Sequence, residues 1–308
     1  MRIVFMGTAE FGIPGLSLLL KNGFDIVSVV TNADKPSGRG QNVTYSPVKQ
    51  FALEHNLPLL QPVSLKDESF IASLKSLQAD LFVVVAFRIL PAGVFQLPKL
   101  GTFNLHASLL PKYRGAAPIQ WAIINGERET GVTTFFLDEH VDTGNIILQA
   151  RLPIRENETA GELHDRLSEI GAEIILHTVK LIEMGTAQRN KQDSSLSSPA
   201  PKIFKEQCGI DWNKSAQEIH NFVRGLSPVP CAYTICKGKM MKIHRTQLSD
   251  EGHNKPAGEV VRAEDRFLVA TGNGTIELLE VQQEGKKKLN AAEFLRGYRI
   301  TAGERLGA

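Results

Sequence analysis

Residues 102–144 hold the side chains best able to do chemistry. Phe103-Asn104-Leu105-His106 reads as a short strand, and side chains two apart on a strand share a face, so the Asn104 amide and the His106 imidazole address one spot. Pro111 and Gly115 then break regular structure. A second apolar run, Gly131-Val132-Thr133-Thr134-Phe135-Phe136-Leu137, leads into Asp138, Glu139, His140 and Asp142 and delivers a carboxylate at the end of a neighbouring strand. Amide, imidazole and carboxylate together suit acyl transfer to an amine. Asn104 can stabilise the negative charge that develops on a carbonyl oxygen. His106 can move a proton or donate to that oxygen. Asp142 can orient the imidazole, or hold the attacking amine and accept its proton. Ser108 is the nearby nucleophile, but it lacks the Gly-x-Ser-x-Gly elbow, which favours direct transfer without a covalent enzyme intermediate. Taken alone, Asn-x-His on a strand is more often a capped turn or a satisfied core histidine.

The elements that must position these groups are legible around them. Ile3-Val4-Phe5 bounded by Gly7, then a helical stretch over 11–21, then an apolar run over 24–30, form the strand–turn–helix–strand opening of a doubly wound sheet. Glycines 7, 12 and 15 do not make Gly-x-Gly-x-x-Gly, which weakens a dinucleotide reading. Residues 31–47, rich in Gly, Pro, Ser and Asn, read as a loop carrying Lys35 and Arg39. Helices are expected over 47–56 and 64–77. Ala79-Asp80-Leu81-Phe82-Val83-Val84-Val85-Ala86 should be a strand buried on both faces, ending in the turn Phe87-Arg88-Ile89-Leu90-Pro91. Thr159 and Glu162 form a capping box for a long amphipathic helix that stops at Gly185, and Ser215 with Glu218 forms a second. Five short strand-like runs between 232 and 281, separated by turn signals, suggest a small barrel. The domains expected are 1–189 and 206–308, joined by an aperiodic polar linker over 190–205.

Composition excludes several classes. Of 308 residues, 42% are hydrophobic and 22% charged, as in a globular protein rather than a disordered or fibrous one. No apolar run is long enough to cross a bilayer, so the expectation is a cytoplasmic protein with no membrane partner. Cys208, Cys231 and Cys236 lack the spacing of a zinc site and are too few for a disulfide framework; no metal is expected. Residues 1–190 carry 17 Lys and Arg against 19 Asp and Glu, whereas residues 191–308 carry 18 against 14, so the second half is the better suited to a polyanion. Its sharpest charge run is Lys286-Lys287-Lys288. A lysine turn is ordinarily a solvated loop; phosphate contacts there would position a nucleic acid without reading its sequence.

The run from Asn104 to Gln120 (Asn-Leu-His-Ala-Ser-Leu-Leu-Pro-Lys-Tyr-Arg-Gly-Ala-Ala-Pro-Ile-Gln), followed by Asp142-Thr143-Gly144, resembles the signature of the folate-dependent formyltransferases. The resemblance extends to Ile3-Val4-Phe5-Met6-Gly7-Thr8, Asp34-Lys35-Pro36-Ser37-Gly38-Arg39-Gly40 and Ile210-Asp211-Trp212, and so covers nearly the whole chain. It is nearest to the members whose acceptor is methionine esterified to initiator tRNA. It implies a Rossmann-like, mostly parallel α/β domain, an OB-like C-terminal barrel and 10-formyltetrahydrofolate as co-substrate; separately from the resemblance, a monomer is expected. It also implies Asn104, His106 and Asp142 as the catalytic trio, with Asn104 and His106 on the oxyanion and Asp142 on the amine proton. Ser108, Leu109, Leu110 and Pro111, with Phe87, Arg88, Ile89 and Leu90, would line the folate site, where relatives commonly have Tyr-Gly and one residue more. Phe11 would touch the methionyl group, and Lys35, Arg39 and Lys286 to Lys288 would meet the tRNA. The competing expectations are a formyltransferase acting on an amino-sugar nucleotide and a non-catalytic RNA-binding module.

Overall fold

The computed structural model describes residues 1–37 and 42–307. Contacts within the chain separate into two compact units: Met1–Gly115 with Gly131–Leu152 and His164–Pro199, and Ala116–Thr130 with Pro153–Leu163 and Ala200–Ala308.

Along the first part of the chain run β1 (Arg2–Gly7), α1 (Ile13–Lys21), β2 (Asp25–Val30), β3 (Lys35–Ser37), β4 (Asn42–Thr44), α2 (Pro47–Glu54), β5 (Leu59–Leu60), α3 (Glu68–Ser76), β6 (Leu81–Val85), α4 (Ala92–Phe95), β7 (Thr102–His106), α5 (Pro118–Ile124), β8 (Glu129–Phe136), β9 (Ile146–Pro153) and α6 (Ala160–Glu183). The sheet order is β5-β2-β1-β6-β7-β8-β9, parallel from β5 to β7 and antiparallel between β7 and β8. Both faces of β6 are buried, as its unbroken apolar run requires. One core layer gathers Val4, Met6, Val30, Phe82 and Val84 against Phe70, Leu74 and Val94. The doubly wound expectation is met. The stretch expected to be loop after β2 instead contains the antiparallel pair β3–β4, with Lys35 opposite Thr44.

The second unit adds α7 (Ala216–Leu226), β10 (Ala232–Cys236), β11 (Lys239–Ser249), β12 (Val260–Arg262), β13 (Phe267–Ala270), β14 (Thr275–Gln283), β15 (Leu289–Asn290) and α8 (Ala291–Gly297). Its sheet is antiparallel, in the order β10-β11-β14-β13-β12 with β15 on β14, an open half-barrel. The five expected strand runs are there, and β11 is longer than its sequence run and breaks register twice, between Ile243 and Arg245 and between Arg245 and Thr246. The Ser215–Glu218 capping box is formed in both directions and opens α7. Residues 116–130 lie in this unit because α5 packs on α7. A Cβ on Gly225 would sit 2.7 Å from Ile124 Cγ1 and 3.2 Å from the Gln120 carbonyl, so only glycine lets the two helices approach this closely.

Candidate active site

β7 ends at the carboxyl edge of the parallel strands, where an open α/β sheet leaves a crevice for ligands. Asn104 and His106 leave the same face of this strand. Asn104 is half-buried, and its Oδ1, shielded from solvent, has no hydrogen-bond partner. A buried amide oxygen left unpaired is costly in a finished structure and fits a place waiting for a donor. His106 is buried and its Nε2 lies 2.8 Å from the Tyr113 carbonyl, so Nε2 carries a proton and donates it there. The nitrogen left for chemistry is Nδ1, which faces Asp142 Oδ2 at 3.8 Å, too far for a hydrogen bond and close enough for a charge pair. Asp142 Oδ2 in turn accepts from the Gly115 N–H at 2.9 Å.

Two supports that the sequence did not announce hold this arrangement. Gln192, buried in the stretch expected to be linker, donates through Nε2 to the Asp142 carbonyl at 2.9 Å and the Gly144 carbonyl at 2.8 Å, while its Oε1 accepts from Arg114 Nε and Nη2. Thr133 and Gln149 hold the loop after β7: Thr133 Oγ1 donates to the Ser108 carbonyl and accepts from the Leu110 N–H, and Gln149 Nε2 donates to the Leu110 carbonyl. Gln192 sits among polar residues with no periodicity, so no signal in the sequence could have found it. Tyr113 and Gly115 lie inside the signature run but act through backbone atoms, which residue types do not reveal. Ala86, Tyr113 and Asp142 take φ of +47°, +61° and +57°. Left-handed backbone at a non-glycine residue costs about 1–3 kcal/mol and gathers at functional sites.

The other expected site residues fall as follows. Ser108 is fully buried, and its hydroxyl donates to the Lys112 carbonyl at 2.7 Å, so its proton is spent within the loop. Leu110 is buried, whereas Leu109 and Pro111 are half-buried. Phe87 is half-buried and Leu90 buried, and Ile89 is 77% exposed. Arg88 reaches across to donate to the Pro62 carbonyl at 2.9 Å and the Val63 carbonyl at 3.0 Å, with its Nε buried and unpaired. Phe11 is buried against the His164 ring, 5.1 Å between centroids. Lys286, Lys287 and Lys288 are exposed, and Lys288 is paired with Glu280 at 2.7 Å. Arg39 lies outside the described residues. Among the described residues no group of three His, Cys, Asp or Glu could hold a metal ion, and no helix is long and apolar enough to cross a membrane.

A family model described as formyl transferase matches residues 1–179, and one described as formyl transferase, C-terminal domain, matches residues 202–299. The chain belongs to the formyl transferase family. It is 51% identical over 302 residues to a methionyl-tRNA formyltransferase of Flavobacterium johnsoniae, covering 96% of each chain. It is 47% identical over 316 residues to a protein of the same name from Bacteroides thetaiotaomicron, covering 99% of this chain and 98% of the relative. Among solved structures it resembles WlaRD, a sugar 3N-formyl transferase crystallised with dTDP and 5-N-formyl-THF, at a TM-score of 0.68 and 27% identity over 93% of this chain and 99% of that one. In this formyl transferase, Gln192→Leu is expected to remove about 1–3 kcal/mol of stability by leaving two carbonyls without their donor. It should also lower kcat by displacing Asp142. Thermal unfolding and turnover of the same preparation check both.

Proposed function

We propose that this chain transfers the formyl group of 10-formyltetrahydrofolate to the free amino group of methionyl initiator tRNA, giving N-formylmethionyl-tRNA for translation initiation in the cytoplasm, and that it works as a monomer. The observation that carries this reading is 51% identity, across 96% of both chains, to a protein named methionyl-tRNA formyltransferase; the sugar-directed WlaRD stands at 27%.

The folate supplies an activated carbonyl carbon. Residues at the sheet edge suit it: Asn104 Oδ1 and Arg88 Nε are buried without partners, and Val63 and Ile89, 87% and 77% exposed, offer apolar surface for a flat ring system. Phe87, Leu90 and the segment from Ser108 to Pro111 complete that wall, the buried members acting through backbone and shape. Asn104 donates from Nδ2 to the carbonyl oxygen as negative charge grows on it, and its Oδ1 accepts from the attacking amine. With Nε2 committed to Tyr113, His106 uses Nδ1 to take the amine proton and to return it to the folate nitrogen as the formyl C–N bond to the folate breaks and tetrahydrofolate leaves. Asp142, 3.8 Å away and fixed by Gly115, offsets the charge of the imidazolium so formed. Phe11 flanks the methionyl side chain. Lys35, Arg39 and Lys286 to Lys288 meet tRNA phosphates, which position the acceptor stem.

The test is formyl transfer from 10-formyltetrahydrofolate with methionyl initiator tRNA, methionyl elongator tRNA and an amino-sugar nucleotide offered in parallel. Formylation of the initiator alone is the expected result. Formylation of the sugar would retain the catalytic trio and overturn the acceptor.

A further inference from the structure

Asp34, the residue before β3, and Tyr45, the residue after β4, are the two feet of the β3–β4 hairpin, and one side chain of α2 holds both. Lys49 Nζ is ion-paired with Asp34 Oδ2 and stands 3.8 Å from the centre of the Tyr45 ring. Lys49 is 8% exposed, although lysine is among the residue types least often buried. A buried ammonium needs a partner, and Asp34 with the face of the Tyr45 ring meets that need. The Lys49 backbone is fixed as well. Its N–H donates at 3.1 Å to Oγ of Ser46, the N-cap of α2, and that oxygen lies 2.9 Å from Thr31 Oγ1 just past β2. From the other side Gln61, just past β5, donates through Nε2 to Asp34 Oδ1 and to the Asn32 carbonyl, each at 2.9 Å. The Lys49 hydrogen bond, and after it that of Gln61, hold the Asp34 carboxyl below its ordinary pKa, so Asp34 is ionised at neutral pH.

The chemical step of formyl transfer uses none of these groups, and the hairpin cannot orient itself. Its strands are three residues each, paired from Lys35 with Thr44 to Ser37 with Asn42, and a lone two-stranded ribbon is marginally stable at best. Its direction is therefore set at its feet. An ion pair open to solvent would set it weakly. Here the cation is buried, held from two sides, and braced through α2 and the ends of β2 and β5.

We propose that Lys49, through Asp34 and Tyr45, is a positioning residue for the acceptor: it fixes the β3–β4 hairpin in the orientation in which it meets the tRNA. This rests on the reading above that the hairpin segment is a tRNA contact. Without the clamp the hairpin samples other directions, and the apparent affinity for the acceptor falls in proportion to the fraction of molecules that hold the competent one. Once the tRNA is bound the hairpin is in place, so turnover is preserved.

Kinetics of the full chain are measured with methionyl initiator tRNA and 10-formyltetrahydrofolate varied in turn. Lys49→Gln and Asp34→Asn are expected to raise KM for the tRNA about tenfold, a competent fraction of about one in ten, with kcat and KM for the folate unchanged. Lys49→Arg keeps the charge and the ring contact and should retain a KM close to that of the parent. Lys99→Gln removes the 2.8 Å pair with Asp80 at the opposite edge of the same sheet and, as the control, should change neither KM. A tRNA KM at the parent value in both Lys49→Gln and Asp34→Asn overturns the proposal. So does a lowered unfolding midpoint with kcat and both KM values worsening together, the mark of a role in stability alone. Asp34 is exposed, so Asp34→Asn carries the test should Lys49→Gln fail to fold. A parent protein that leaves the tRNA unformylated overturns the acceptor reading and the clamp with it; a parent that formylates it, with both variants at the parent KM, overturns the clamp alone.

Discussion

Asn104→Ala is expected to lower kcat for formyl transfer by roughly 10²–10³-fold, the usual effect of removing one oxyanion donor, with little change in KM for methionyl-tRNA. The amide is half-buried within β7 and its Oδ1 has no hydrogen-bond partner among the described residues, so removing it breaks no bond to that oxygen. Its interaction is made with charge that exists only as the carbonyl is attacked, and such a loss falls on kcat and kcat/KM alike. Asn104→Asp should be worse than alanine, because a carboxylate would stand where negative charge develops. Steady-state kinetics with each substrate varied, together with a thermal unfolding midpoint close to that of the parent, check the assignment. Turnover near the parent value in both variants would remove Asn104 from the mechanism.

Gly144→Ala should inactivate the enzyme by a different route. A Cβ at this position would lie 1.6 Å from the Phe136 carbonyl oxygen and 2.9 Å from its carbon, and these are backbone atoms of a sheet strand that cannot turn aside. The segment from Asp142 to Asn145 must then move away from β8. That movement breaks the Gln192 bonds to the Asp142 and Gly144 carbonyls and takes the Asp142 carboxylate from the Gly115 N–H and from His106. We expect a loss of about 3 kcal/mol or more, the upper end of overpacking costs, and a fall in kcat of at least about 10²-fold as the catalytic geometry is lost. Gly93→Ala is the control: a Cβ there meets nothing within 4 Å, and both stability and turnover should stay near the parent values. Thermal unfolding and activity measured on the pair separate a local clash from a general intolerance of alanine.

Much of the scaffold was legible because it rests on local rules. The unbroken apolar run of β6 has to lie between covering layers, and it is buried throughout. Thr159 with Glu162 and Ser215 with Glu218 satisfy each other's orphan groups within four residues, so the starts of α6 and α7 could be read from the chain alone. The half-barrel was readable as strands but not as a sheet with two breaks in β11, since a bulge is fixed by how the partner strand packs. Contacts within the chain group two stretches from the first half with the second unit. Residues 116–130 and 153–163 are close in sequence to the catalytic strands, yet α5 fits α7 through the space left by Gly225.

At the candidate site the same division holds residue by residue. The sequence by itself determined which chemical groups were available: an amide and an imidazole two apart on a strand, a carboxylate after the next strand, and glycines where the chain had to turn or pass close. Strand periodicity decides that Asn104 and His106 share a face wherever the strand is placed. Only the tertiary structure decided how those groups are used. The Tyr113 carbonyl commits His106 Nε2 and leaves Nδ1, the Gly115 N–H fixes Asp142, and Gln192 reaches from a distant, featureless stretch to hold the Asp142 turn. The physical reason is that these supports are made by backbone carbonyls and amides, which every residue carries, and by contacts between residues up to 50 positions apart. Residue type marks the reacting groups, and spatial packing alone selects which backbone atoms orient them.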